Sequence, residues 1–170
     1  MIVIDCRFDY EYSAGHIKGA ININDQNVLV QTFVHDRERL RRLMRSRTIL
    51  VFHCEFSEKR GPSMWTTLRN LDRNINMAKF PKLFYPEMYL LEKGYSAFHK
   101  EFPDLCEGTY KCQAGDKLEK SRYRSMQRSI KSYSVNDQVT QLRKSASTGH
   151  GSIPKVNLET RSGKPSRAKQ

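Results

Sequence analysis

The stretch 49–64 reads ILVFHCEFSEKRGPSM. Ile49 to Phe52 is an unbroken apolar run, the pattern of a strand buried on both faces of a parallel sheet. The run ends at His53-Cys54, and Arg60 follows Cys54 after five intervening residues. Gly61 and Pro62 come next, and a proline suits the first turn of a helix, where its missing N–H is no loss. A strand, a short polar loop and a helix N-terminus together make an anion site, because successive backbone N–H groups converge and the helix dipole favours negative charge. A cysteine at the start of such a loop should lose its proton more easily than a free thiol of pKa about 8.5, and so serve as a thiolate nucleophile. An arginine at its end offers a planar fork for two phosphate oxygens. Cys-x5-Arg in this setting reads as the loop of a cysteine-dependent phosphatase. The competing reading is a small inert buried cysteine. The apolar strand before, the Gly-Pro after, and Phe56 as the loop's single apolar residue favour the chemical one.

The 170 residues suit one domain plus a tail. Lys and Arg number 30 against 18 Asp and Glu, a net charge of +12. From Lys117 onward there are 13 basic and 3 acidic residues, which leaves 17 and 15 before it. The body is nearly neutral and the tail carries the charge. Such a tail suits nucleic acid, an anionic membrane or an acidic protein surface, or else a solvated extension. The four cysteines, Cys6, Cys54, Cys106 and Cys112, form no CxxC pair, and no histidines stand at zinc spacing, so a reducing, intracellular setting is expected. Met1-Ile2-Val3-Ile4 runs straight into Asp5 without a secretory leader, and no apolar run approaches the roughly 20 residues that span a bilayer.

Taken in order, Ile2 to Ile4 predicts a short strand, Gly15 and Gly19 a turn, and Ala20 to Ile23 another strand. Val28 to Arg45 predicts an amphipathic helix with a basic outer face, imperfect in period near His35-Asp36. Pro62 to Asn76 predicts a helix with Trp65, Leu68, Leu71 and Ile75 on one face and Arg69 and Arg73 exposed on the other. Pro81 and Pro86 bracket a connector, Met88 to Leu91 predicts a final strand, Gly94 a turn, and Tyr95 to Phe102 a helix stopped by Pro103. Alternating strands and helices make an α/β fold with a parallel sheet over residues 1–115. Lys117 to Tyr133 predicts a basic helix capped by Asp116, filling the second segment, 116–133. The Ser-, Thr-, Gly- and Lys-rich remainder, 134–170, predicts disorder. Within it, Arg143-Lys144-Ser145-Ala146-Ser147 has the pattern of a basophilic kinase site.

DCRFDYEYSAGHIKGAIN (Asp5 to Asn22) resembles the sequence that marks the rhodanese fold. HCEFSEKRGP (His53 to Pro62) followed by YPEMYLLEKGY (Tyr85 to Tyr95) resembles the M-phase inducer phosphatases, the dual-specificity enzymes that activate cyclin-dependent kinases in cell division. That resemblance implies a rhodanese-like sheet flanked by helices. It implies that Cys54 attacks the phosphorus of a phosphotyrosine or phosphothreonine, forming a cysteinyl-phosphate that water hydrolyses. Arg60 and the backbone amides of Glu55, Phe56, Ser57, Glu58 and Lys59 would hold the equatorial oxygens, with no metal or other cofactor. His53 would position the loop. Cys6 matches a resolving cysteine able to form a disulfide with the nucleophile. Arg69, Arg73 and Phe80 match positions that dock the phosphorylated kinase–cyclin complex, and Lys117 to Lys131 a C-terminal helix that meets it. A monomer in nucleus and cytoplasm is implied, with no nucleic acid and no membrane as partner.

The chain departs from that family in three places. Lys59 stands where a glutamate usually precedes the loop arginine, so Glu58, one residue earlier, becomes the candidate leaving-group acid. The connector before Pro81 is about two residues longer than usual. The strand that carries DCR begins at residue 2, which implies an N-terminally short member lacking a helix and edge strand that would cover the sheet. Two other functions stay open: a kinase-binding module without catalysis, and an arsenate reductase with Cys6 or Cys106 as resolving thiol.

Overall fold

A computed structural model describes residues 1–112 and positions 121, 124, 125, 128 and 140. The remainder of the basic helix expected over 116–133, and of the tail expected over 134–170, lies outside the described residues. Strands Ile2–Asp5 (β1), Ile21–Asn22 (β3), Leu50–His53 (β4) and Met88–Leu90 (β5) form a parallel sheet in the order β3-β1-β4-β5. β1 and β4 sit at its centre with Asp5 opposite His53, so the two chains leave the same edge of the sheet side by side. The apolar runs read from the sequence are these strands. Ile4, Leu50 and Phe52 are fully buried and pack with Leu29, Phe33, Leu40, Met64, Leu68 and Leu71 in one core. Burying each of these side chains contributes about 1.5–3 kcal/mol.

The single helix expected over Val28 to Arg45 is two, Gln26–Val30 (α2) and Arg37–Arg45 (α3), joined by a wide π turn at Gln31–His35. The break falls where the apolar period falters, and aspartates secure both starts. Asp25 accepts from the N–H of Asn27 at 2.7 Å and of Val28 at 3.1 Å, and Asp36 from that of Arg39 at 2.9 Å. On α3, Leu40 and Leu43 face the core, while Arg41, Arg42 and Arg45 face outward.

The next helix, Arg60–Ile75 (α4), starts two residues before Pro62, which sits in the first turn where an N–H has no helical partner. Its second face corrects the sequence reading: Arg73 is exposed, but Arg69 is 6% exposed. The connector folds back across α4, and its carbonyls need donors. Arg69 Nη1 donates to the carbonyl of Tyr85 at 2.7 Å and Nη2 to that of Pro86 at 3.2 Å, with the guanidinium beside Trp65. Asp72 accepts from the N–H of Phe84 at 2.9 Å and of Tyr85 at 3.0 Å, so Arg69 and Asp72 staple the connector from below. Burial lifts the Asp72 carboxyl above its usual range against the pull of those N–H donors.

Three elements around the site went unread in the sequence. Asp9–Ala14 forms a short helix (α1), and Gly15–Ile17 (β2) pairs antiparallel with Cys106–Gly108 (β6) after the helix Gly94–Glu101 (α5). Six and three residues are too few to show a period. β6 brings the segment after it, through Tyr110, back beneath the loop at the end of β4.

Candidate active site

Residues 54–59 connect β4 to α4. Cys54, 4% exposed, stands where β4 ends, and Arg60 is the first residue of α4. The loop is braced from α5. The N–H of Tyr95 donates to the Cys54 carbonyl at 2.9 Å and that of Ser96 to the Glu55 carbonyl at 3.0 Å. A trans peptide sets its N–H opposite its C=O, so the amides of Glu55 and Phe56 are turned away from α5. Ser57 takes a left-handed backbone, φ 55°, which folds the loop tightly enough to meet α4. Gly94 makes the brace sterically feasible: with φ 63°, a Cβ there would lie 2.5 Å from the Glu55 carbonyl oxygen and 2.6 Å from that of Cys54.

Beneath the loop lies a fully buried polar layer. Asp5 and Arg7 form a forked ion pair, with Nη2 to Oδ2 at 2.7 Å and Nε to Oδ1 at 3.0 Å. Arg7 also donates to the Gly15 carbonyl at 2.7 Å and lies 3.8 Å from the centroid of the Tyr95 ring. His53 has Nε2 3.8 Å from Asp5 Oδ2 and donates from Nδ1 to the Cys54 carbonyl at 3.3 Å. Burial pushes the imidazole below its ordinary range, outweighing Asp5, so the ring is a neutral brace under the loop. Cys6 follows Asp5 as Cys54 follows His53, and its N–H donates to the His53 carbonyl at 2.7 Å. Burial pushes its thiol well above the usual range, with Asp5 and Cys54 adding to the effect. All four cysteines are free thiols. Cys6 lies beside Cys54 at the strand ends, whereas Cys106 lies on β6 opposite Ile17.

Arg60 is held from below. Its Nη1 bonds Oε2 of Glu11 and its Nη2 donates to Oε1 at 3.1 Å, with Glu11 fully buried on α1. Glu55 Oε2 lies 3.9 Å from Nη2, and the Phe8 ring centroid 5.1 Å from the guanidinium carbon. Burial alone would lower the Arg60 pKa, but Glu11 foremost, then Cys54 and Glu55, raise it. Glu55 carries its side chain inward, where Tyr110 donates to Oε1 at 2.7 Å. Burial, reinforced by Glu55, pushes the Tyr110 hydroxyl up to about 12, so it stays a donor.

The expected site residues therefore divide. Cys54, Arg60 and the backbone of 55–59 meet in one loop, with Cys6 next to it. Glu58 and Lys59 are exposed on its outer side, and so is Phe56. Phe80, 88% exposed, and Arg73 lie at the surface near the far end of α4, while Arg69 is committed to the connector. Glu11, Gly94 and Tyr110 were missed as members of the site. The signal for Glu11 was its acid flanked by aromatics in Phe8 to Tyr12; the other two act through contacts far apart in the chain. Among the described residues no group of three or more His, Cys, Asp or Glu is placed to hold a metal, and no helix is long and apolar enough to cross a membrane.

A profile of the rhodanese-like domain matches residues 1–101. The chain belongs to the rhodanese-like family. This rhodanese-like domain is 45% identical over 113 residues to M-phase inducer phosphatase 1-B of Xenopus laevis, covering 66% of this chain and 20% of that one. It is 46% identical over 110 residues to human M-phase inducer phosphatase 3, covering 65% and 23%. The chain thus spans about a fifth of the length of the curated relatives it matches. Among solved structures, an As-Sb reductase from Leishmania major is 20% identical with a TM-score of 0.46, covering 73% of this chain and 83% of that one.

Proposed function

We propose that this rhodanese-like domain is a protein tyrosine and dual-specificity phosphatase that removes inhibitory phosphates from a cyclin-dependent kinase and so promotes cell-cycle progression. The observation that carries the reading is the loop itself: a cysteine at a strand end, an arginine opening the next helix, and peptides held by α5 so that their amides turn the other way. Identity above 40% to M-phase inducer phosphatases over about two thirds of the chain supports it.

In the reaction, the Cys54 thiolate attacks phosphorus in line with the leaving oxygen, and the phenolate or alkoxide departs with a proton. Backbone amides and Arg60 stabilise the charge gathered on the equatorial oxygens. Water then attacks the cysteinyl-phosphate, releasing inorganic phosphate and restoring the thiol. Glu55 is engaged with Tyr110 and Arg60, so the carboxylic acid of the loop that can reach a leaving group from outside is Glu58. Arg73, Phe80 and Lys117 to Lys131 are the proposed docking surface for the kinase–cyclin complex, with the protein acting as a monomer in nucleus and cytoplasm.

The test is hydrolysis of a small aryl phosphate by the 170-residue chain. Cys54→Ser should lower turnover by roughly 10⁴-fold or more, to background, since loss of a nucleophile removes the covalent route. Turnover retained by the serine variant refutes the mechanism. The burial of Arg60 on Glu11 favours a second reading, a kinase-binding module without catalysis. That reading expects no turnover from folded protein, and kinase binding that survives Cys54→Ser but weakens with Arg73→Ala.

A further inference from the structure

Arg60 is 2% exposed, so it offers almost no surface to a ligand entering the loop. Both of its terminal nitrogens lie on Glu11, a residue of α1 rather than of the loop. Glu55 stands 3.9 Å away on the same guanidinium, so one cation faces two buried carboxylates. With Arg60 almost wholly buried and both terminal nitrogens drawn onto Glu11, a phosphoryl group in the loop takes a forked grip only by drawing the guanidinium away from that carboxylate. Carboxylate and phosphoryl compete for one cation.

We propose that Glu11 is a positioning residue that acts as an internal competitor of substrate: it holds Arg60 back while the loop is empty, and the loop takes an oxyanion by exchanging Glu11 for phosphoryl oxygens on Arg60. The proposal rests on reading 54–60 as a phosphate loop. The exchange leaves a buried carboxylate short of its cation, which subtracts from anion affinity. Glu11 is not abandoned, because the N–H of Phe8 still donates to Oε2 at 2.9 Å. That retained bond keeps the acid pointed at Arg60 and makes the exchange reversible. Arg7, locked on Asp5 in the layer beneath, has no such role.

The experiment is calorimetric titration of the full chain with sodium tungstate, a tetrahedral dianion that is not turned over. Glu11→Gln keeps the shape and one acceptor oxygen but removes the charge. It should bind tungstate about tenfold more tightly, and with an aryl phosphate it should lower KM more than it changes kcat. A folded Glu11→Gln with unchanged or weaker tungstate affinity overturns the proposal. Should the variant fail to fold, the unaltered protein decides. Its Arg60 side-chain N–H resonances should shift on adding tungstate while those of Arg7 stay. Loop amides that respond while Arg60 does not overturn the exchange. Tungstate exchange without aryl phosphate turnover upholds this proposal and sinks the phosphatase reading. Turnover with Arg60 unmoved does the reverse, and no tungstate binding overturns the exchange while turnover still decides the phosphatase reading.

Discussion

The two central strands end in register, Asp5 beside His53, and each is followed by a cysteine, yet the two ends have opposite properties. After β1, the charges cancel inside the protein. Asp5 accepts from Nε and Nη2 of Arg7, Tyr95 covers the guanidinium, and Cys6 is fully buried with its thiol pushed up by that burial. After β4, the chain does not close on itself. Its carbonyls are tied to the start of α5, its amides turn the other way, and an arginine stands at the head of a helix. The difference lies in the residues beyond each strand and in which segment supplies their hydrogen bonds. The β1 end ties its ion pair to its own neighbours, whereas the loop after β4 turns its amides outward as donors for a ligand.

Three experiments probe this contrast. The largest effect is expected from Gly94→Ala, which disturbs the β4 end and spares the β1 end. A Cβ 2.5 Å from a loop carbonyl, on a left-handed backbone, should cost about 3 kcal/mol. The denaturation midpoint should fall accordingly, and turnover should fall further than stability accounts for, because the loop amides lose their brace. Unchanged stability and turnover would mean that α5 does not hold the loop.

A smaller effect comes from the layer between the ends. Buried His53 has its pKa depressed below the ordinary value of about 6.5. Below that value the unfolded chain binds a proton the folded one refuses, so stability falls as pH drops from about 6.5 toward the folded pKa, and is flat above. Asp72, raised by burial, acts in the opposite sense at lower pH, because its folded state takes the proton first. The melting temperature should therefore fall between about pH 7 and pH 5.5, and His53→Gln should flatten that slope. An equal slope in the variant would assign the effect elsewhere.

The smallest effect is expected from Cys6→Ser. Its Sγ donates only a long bond, 3.7 Å, to the Ile4 carbonyl, so the loss should be about 1 kcal/mol and turnover should persist. Melting and aryl phosphate assays on the variant check both. Loss of turnover comparable to that of Cys54→Ser would show that the two strand ends are not distinct in chemistry.

What the chain determined by itself is local and periodic. Apolar runs of three or four residues announced β1 and β4. Leu68 and Leu71 at helical spacing announced α4, and the faltering period at His35-Asp36 announced the break between α2 and α3. Cys54, Arg60 and the Gly-Pro after them announced the loop, because that chemistry sits within one short run of residues. Tertiary structure decided everything that needed two distant segments. Arg69 and Arg73 look alike on a helical face, but only Arg69 meets the carbonyls of Tyr85 and Pro86, so one is buried and the other is not. Glu11 reaches Arg60 across 49 residues and Tyr110 reaches Glu55 across 55, and no period links such pairs. The physical reason is that a buried ion pair is selected by the space and the missing partner it finds in the folded core. Sequence spacing records the backbone's own repeat and nothing of that space.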